Sequence, residues 1–367
     1  MEKRKYYIWG TGKIAKQMNR EYGYILGRLE IKGYIDNNKI LWGKEFEGKK
    51  IYSPNVLREE KEAYLIIANV YKDEIIQQIQ NDMLYDLGRI EENFLQKLQI
   101  MDRYRNSAEI EQRNIVGYLG NHSLQVFNYS FTDKYSDMKC EIEFDSERGL
   151  FYALHNGKRM YFARYFNTME TAGQYYRWLC MEQDMESPHR YVSDNGTLGD
   201  DLTILDAGAA EGNFSLSLIE RAKKVYLFES DKDWVEALRY TFEPYRDKVV
   251  IIQKNLSNYE NVVTTTIDKE LVGEIIDILK MDVEGEEIYA LKGGIKTIEN
   301  SPDIRCYVCS YHQEFAYDVI KTFFEQRKFE VESSSGYMWF PENPSSPRTS
   351  ILRKGIVRAS SIVVHKK

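Results

Sequence analysis

The chain has 367 residues, 43% of them hydrophobic and 29% charged, with a formal net charge of −7. Two or three globular units with real apolar cores are expected at that length and composition. The acid excess argues against a partner bound through a nucleic-acid backbone, no apolar run reaches membrane-spanning length, and MEKRKYYIWG leads into a strand rather than a signal-peptide core.

The first hundred residues alternate strand and helix signals. KYYIWG is an apolar strand, GKIAKQMNREYGYIL has helical spacing, and IKGYIDNN is a second strand ending at Asp36. AYLIIANVY predicts a third strand and KDEIIQQIQNDM a helix, giving a β-α-β-α-β half of a nucleotide-binding fold. The glycine turn GTGKIAK carries Lys13 and Lys16, a charge that suits phosphate. With only half a dinucleotide fold behind it, the turn is weak evidence for NAD. A scaffold or a nucleotide-sugar or carrier-phosphate module is the reading preferred there. Charged helical sequence follows from about 89 to 115.

Residues 139–166 predict two or three short strands with turns at SERG and HNGK. TAGQYYRWLCMEQDM, 171–185, is helical, and ESPHRYVSDNGTLGDD is a linker rich in turn residues. From 202 the alternation resumes through LTILDAG, KVYLFES, VVIIQKNLS, IIDILKMDVEG and IRCYVCSYH, with helices between them. KFEVESSSGYMWF and GIVRASSIVVHKK suit a terminal antiparallel pair. Cys306 and Cys309 form a C-x-x-C with His312 following. On a strand, positions three apart face opposite ways, so core packing is expected rather than zinc.

The second glycine turn, ILDAGAAEGNFS, lies where ligands sit in open α/β sheets. It carries Asp206 and Glu211 in place of the lysines of the first turn. Carboxylates repel a pyrophosphate and attract a cation. S-adenosylmethionine has a sulfonium, an ammonium and no phosphate. Gly208 and Gly212 would let the backbone approach the ligand. Glu229 stands at the next strand end, the position of a ribose-hydroxyl binder. Asn255 and Ser257 are polar candidates near an adenine.

The segments ILDAGAAEGNFS, VYLFES, TTTIDKEL and especially DILKMDVEGEEIYALKGG resemble the FkbM family of S-adenosylmethionine-dependent methyltransferases. The resemblance covers about 200–310 well and the rest of the C-terminal half more loosely. It implies an α/β class I methyltransferase fold: a seven-stranded, mostly parallel, doubly wound sheet with an antiparallel last strand. It also implies transfer of a methyl group, usually to a hydroxyl oxygen on sugars, polysaccharides or polyketides. Ala209 and Ala210 stand where a glycine or asparagine is common in the turn. The expected organisation is a Rossmann-like accessory domain at 1–100, a helical linker and β-hairpin cap at 101–198, and an FkbM-type methyltransferase domain at 199–367. The expected cofactor contacts are Asp206, Gly208, Ala209, Glu211, Gly212, Asn213, Phe214, Glu229, Ser230, Asn255 and Asp282.

A sugar hydroxyl is a poor nucleophile, so a base or metal should assist it. His312 is the expected general base, with Asp282 and Glu284 placed on one face of an extended segment to position the acceptor. Glu284, Glu286 and Glu287 also suit a helix start, where acids are favoured. Asp282, Glu284 and His312 could also hold Mg²⁺ or Mn²⁺; a metal is not predicted. His189 and Tyr191 of the PHRY segment are expected to fold over the cofactor and meet the substrate, or else to form a rigid entry to the core. The expected partners are a small-molecule or carbohydrate acceptor and, as an option, a second copy of the chain. No nucleic acid and no membrane insertion are expected, and the cytoplasm is the expected location. The competing readings are an NAD(P)-dependent nucleotide-sugar oxidoreductase and a non-catalytic nucleotide-binding module.

Overall fold

A computed structural model of the chain describes residues 4–82, 84–193, 198–340 and 351–361. The chain forms two compact units. One comprises residues 1–130 with 341–352, the other residues 131–340 with 353–367. The boundary at Ser130 falls inside the stretch expected to be a connector. The hairpin cap and the helix after it go with the second unit. Among the described residues no helix is long and apolar enough to cross a membrane.

In the first unit, β1 (Lys5–Trp9), β2 (Glu30–Ile35), β3 (Glu45–Phe46), β4 (Lys49–Tyr52) and β5 (Tyr64–Ile67) form one sheet in the order β3-β4-β2-β1-β5. The pairs β1–β2, β1–β5 and β2–β4 are parallel and β3–β4 is antiparallel. Between β2 and β5 the chain forms the hairpin EFEGKKIY, turning at positive φ on Glu47 and Gly48, and the helix of the expected β-α-β-α-β pattern is reduced to the single turn Val56–Glu59. The helix Lys13–Leu26 starts at Gly12 with no side-chain cap. Asp36 is already engaged, since Thr11 Oγ1 donates to its Oδ2 at 2.6 Å and Asn38 N–H to its Oδ1 at 2.9 Å. A cavity of about 320 Å³ beside it is lined by Trp9, Asp36, Asn69, Tyr71 and Glu74 among others, with neither Lys13 nor Lys16 in its wall. The phosphate-suited charge therefore lies outside this cavity.

The second unit begins with a meander, β6 (Ile142–Asp145), β7 (Leu150–His155) and β8 (Lys158–Tyr161), all antiparallel. The turns fall at the expected SERG and HNGK, with Gly149, Asn156 and Gly157 at positive φ. The helix Met169–Glu182 follows, with Thr168 Oγ1 accepting Thr171 N–H as its N-cap. The core sheet is built from β9 (Leu202–Ala207), β10 (Ala222–Phe228), β11 (Val249–Ile252), β14 (Ile278–Met281), β15 (Arg305–Cys309), β16 (Phe329–Ser333) and β19 (Ile356–Ser361). The short strands β12 (Asn255–Leu256), β13 (Thr264–Thr265), β17 (Met338–Trp339) and β18 (Leu352–Arg353) lie outside it.

The sheet order is β11-β10-β9-β14-β15-β19-β16, parallel from β11 to β15, with β19 antiparallel to both neighbours. This is the class I methyltransferase sheet expected from the sequence. The chain runs outward from β9 to β11 and then returns to β14 on the other side, so the reversal point lies between β9 and β14. β9 is buried along its whole length, which is why its apolar residues Leu202, Ile204, Leu205 and Ala207 do not alternate with exposed ones. Cys306 packs in the core among Leu279, Val308 and Phe324, and Cys309 is also fully buried.

Candidate active site

Strand register builds the rim of the site. Ala207 is level with Phe228 on one side and Met281 on the other, Phe228 with Ile252, and Met281 with Val308. The residues that follow therefore emerge together: Gly208, Glu229, Lys254, Asp282 and the Ser310–His312 segment. Between them lies a cleft of about 790 Å³.

Gly208, Glu229, Ser230, Asn255, Asp282, Glu284 and His312 all line this cleft, as the sequence leads one to expect. Ala209, Glu211, Gly212, Asn213 and Phe214 are not part of its wall; Ala210 is. Asp206 is the main correction. It is completely buried, with Lys280 Nζ 3.0 Å from its Oδ1 and Ser215 Oγ donating to its Oδ2 at 2.7 Å. Its charge is spent inside the protein and does not face a ligand. Burial opposes the charged form of Lys280, but Asp206 and Asp282 outweigh it and raise its pKa. Lys280 also donates to the carbonyl of Gly208 and so ties the turn to β14. A lysine inside the apolar strand ILKM was the signal for this pair, since buried charges are found paired.

The glycines serve the protein's own packing. Gly208 has φ +73°, and a Cβ there would stand 1.8 Å from the carbonyl oxygen of Asp282. Gly212 has φ +79°, and its Cβ would meet the Phe242 ring at 2.7 Å. Ala210 also has positive φ, at 46°, which is why glycine or asparagine suits that position.

Glu229 accepts Ala210 N–H at 2.9 Å on Oε2 and Asp231 N–H at 2.8 Å on Oε1. Each oxygen keeps a further lone pair for a hydroxyl donor. Tyr165 and Trp234 line the same end of the cleft, in edge-to-face contact at 5.9 Å. Five carboxylates line the cleft (Glu229, Asp231, Asp282, Glu284 and Glu286) against one lysine, Lys254, which pairs with Glu270 at 3.4 Å.

Asp282 is the polar centre of the other end. Tyr191 O–H donates to its Oδ2 at 2.9 Å, Tyr311 O–H stands 3.3 Å from its Oδ1, and His312 Nε2 lies 3.5 Å from Oδ1. Burial pushes its pKa up, but Lys280, His312 and the hydrogen bond from Tyr191 outweigh this and hold it below the usual carboxylate range. It stays an anion and is no proton acceptor near neutrality. Asp282 and Glu284 share the cleft because Glu284 and Gly285 turn at φ +54° and +101°, not because the segment is extended.

His189 and Tyr191 do not fold over the cleft. Both are buried, and they support Asp282 from behind: His189 Nε2 lies 3.1 Å from Tyr311 Oη. Burial lowers the His189 pKa to about 4, so the ring is neutral. Tyr311 was not singled out from sequence, and Glu287 was read there only as an acid suited to a helix start. Glu287, nearly wholly buried, stands 2.9 Å from His312 Nδ1. Asp282, Glu287 and His312 bring ligand-type atoms within 4.8 Å of one another, and so do His189, Asp282 and Cys309. Glu284 is in neither set, so the Asp282–Glu284–His312 group that could have held a divalent ion does not bring its ligand atoms that close together. The two carboxylates nearest His312 sit against opposite ring nitrogens.

Behind the glycine turn, Tyr175 O–H donates to Glu211 Oε2 at 2.6 Å, and Trp178 Nε1–H to Glu182 Oε1 at 2.6 Å. Burial raises the pKa of Glu211 to about 7 and that of Glu182 to about 8, the latter helped by the charges of Asp282 and Glu211. Both exceed the ordinary 4.5, so the folded state holds protons that the unfolded chain has released. Their contribution to stability is complete below 4.5 and is lost as pH rises through 7 and 8. The melting temperature of the ligand-free protein should therefore fall between about pH 4.5 and 8, and Glu182→Gln should flatten the fall. Scanning calorimetry across that range tests this; a flat wild-type profile would refute it.

Residues 155–331 match the family model described as methyltransferase FkbM domain. This segment of the chain is an FkbM methyltransferase domain. The match begins at the end of β7, so the FkbM domain includes the β7–β8 turn and the helix Met169–Glu182 as well as the glycine turn and the DVEGEE rim. Residues 2–91 match a second model, C2185-like, N-terminal. No curated protein matches the sequence. Among solved structures, the methyltransferase FkbM from Methylobacillus flagellatus KT is 12% identical, covering 97% of this chain and 89% of that one, with a TM-score of 0.39. The precorrin-6y C5,15-methyltransferase from Geobacter metallireducens is 13% identical, covering 45% of this chain and 84% of that one, with a TM-score of 0.32.

Proposed function

We propose that the protein is an S-adenosylmethionine-dependent O-methyltransferase acting on a hydroxyl of a sugar, a polysaccharide precursor or a related natural product. The observation that carries this reading is the charge of the cleft: five carboxylates and a single, paired lysine at the reversal point of the sheet. At an effective dielectric of 20, two unit charges about 4 Å apart interact by roughly 4 kcal/mol. That energy attracts a sulfonium and an ammonium and repels a diphosphate. The same argument disfavours a nicotinamide dinucleotide and a phosphate-bearing acceptor at this rim.

The residues present fit the cofactor. Glu229 has lone pairs free for two ribose hydroxyls, Asn255 and Ser257 offer polar contacts, and Tyr165 and Trp234 offer aromatic faces. When bound, the cofactor supplies a methyl group on a positively charged sulfur. Asp282 remains ionised and favours positive charge beside it. His312 takes the proton of the acceptor hydroxyl at Nε2, and Tyr311 and Phe340 close the wall around it.

Calorimetric titration tests the cofactor assignment. S-adenosylhomocysteine should bind in the micromolar range and NAD should give no heat; the reverse would overturn the reading. Glu229→Ala should weaken S-adenosylhomocysteine binding roughly 10- to 100-fold, since it removes a charged acceptor from two hydroxyls. Unchanged affinity would remove Glu229 from the site. Methyl transfer from labelled S-adenosylmethionine across a panel of sugars identifies the acceptor.

A further inference from the structure

We propose that Glu287 is the positioning residue of His312: it accepts the Nδ1–H and thereby leaves Nε2 unprotonated toward the cleft. The inference rests on the assignment of His312 as the base. Glu287 is the first residue of the helix Glu287–Lys292, where an acid would ordinarily be explained by the helix dipole alone. Its surroundings give it a more specific role. The carboxylate is nearly wholly buried, and its Oε1 accepts Val283 N–H and Gly285 N–H, both at 3.2 Å. Those two bonds fix the carboxylate against the DVEGEE turn. The same oxygen stands 2.9 Å from His312 Nδ1.

His312 cannot rotate freely in this setting. Its ring packs on Tyr311 at 4.2 Å between centroids and edge-on against Phe340 at 5.9 Å. Gln313, the next residue, donates to the carbonyl of Gly285 at 2.9 Å and ties the end of β15 to the same turn. On this proposal the neutral ring carries its proton on Nδ1, 2.9 Å from Glu287 Oε1, and Nε2, 3.5 Å from Asp282 Oδ1 at the cleft, carries the lone pair. A buried carboxylate that selects the tautomer of a base is the arrangement seen in hydrolase triads. The charged and titratable groups around His312 are Glu287 and Glu284 of the DVEGEE turn, Asp282 at the end of β14, Tyr311 beside it, His189 from the PHRY segment and the buried Arg353, whose guanidinium donates to the His312 backbone carbonyl at 3.2 Å. Burial lowers the His312 pKa, but Glu287 and Asp282 outweigh it and the net shift is upward.

The experiment needs no acceptor. The full chain has five histidines, so ¹⁵N- and ¹³C-histidine labelling with His312→Ala as the assignment control resolves the His312 ring. In the wild type, the neutral ring should be the Nδ1–H tautomer. In Glu287→Gln, which keeps the shape, the titration midpoint should fall by about one pH unit, and the tautomer balance should move toward Nε2–H. Far-ultraviolet circular dichroism matching the wild type shows that the variant folds; should it fail to, the wild-type tautomer alone decides. A wild-type ring protonated on Nε2, or an unchanged midpoint and tautomer in Glu287→Gln, would overturn the proposal. Failure of the methyltransferase reading shows separately, as a wild type that does not bind S-adenosylhomocysteine.

Discussion

Substituting Lys280 with methionine is expected to destabilise the FkbM domain by about 3–5 kcal/mol, the cost of stranding one member of a buried ion pair. Asp206 is completely buried, and without Lys280 its carboxylate would keep only the Ser215 hydroxyl as a side-chain partner. For a unit of this size each kcal/mol moves the melting temperature by roughly 2–4 °C, so a fall of about 10 °C should appear in calorimetry. The double variant Lys280→Met with Asp206→Leu should recover much of the loss, because an apolar pair of similar volume is often as stable as a buried ion pair. A single-variant shift below about 2 °C would mean that the pair does not exist in solution. The same substitution also removes the anchor on the Gly208 carbonyl. Cofactor binding in the double variant therefore separates the stability role of Lys280 from its role in shaping the turn.

His312→Ala is expected to lower methyl transfer by roughly 10²-fold or more, the usual contribution of a positioned base. The measurement uses whichever acceptor supports turnover by the wild type. Affinity for S-adenosylhomocysteine should stay within about threefold, because the residues matched to the ribose lie at the other end of the cleft. The pH profile is a second readout. Since the His312 pKa is raised above 6.5, activity should climb as the ring loses its proton, with a midpoint above 6.5. Turnover that survives the substitution would dismiss His312 as the base and return attention to the remaining rim residues.

The alternation of apolar runs and turns from 202 onward was sufficient to place the core strands along the chain, since the central strands of a parallel sheet are buried on both faces and read as near-continuous apolar segments; the sheet they form was implied by the FkbM resemblance. Strand ends could be placed the same way, and so Glu229, Asn255, Asp282 and His312 were legible as rim residues. The hairpin EFEGKKIY was not legible, being short, polar and set by two left-handed residues.

The orientation of side chains was decided by the tertiary structure alone. Asp206 looks from sequence like an acid facing a ligand, and the register that places Met281 beside Ala207 instead puts Lys280 against it. His189 and Tyr191 look like a flap, and packing buries them beneath Asp282. Glu284 looks from sequence like a residue that positions the acceptor; it lines the cleft, and the acid that the turn at Gly285 brings to the His312 ring is Glu287. In each case a charged or polar group had two plausible surroundings, solvent or protein. Periodicity reports which face of an element is apolar; which buried charge meets which partner depends on elements well separated along the chain arriving at one edge of the sheet.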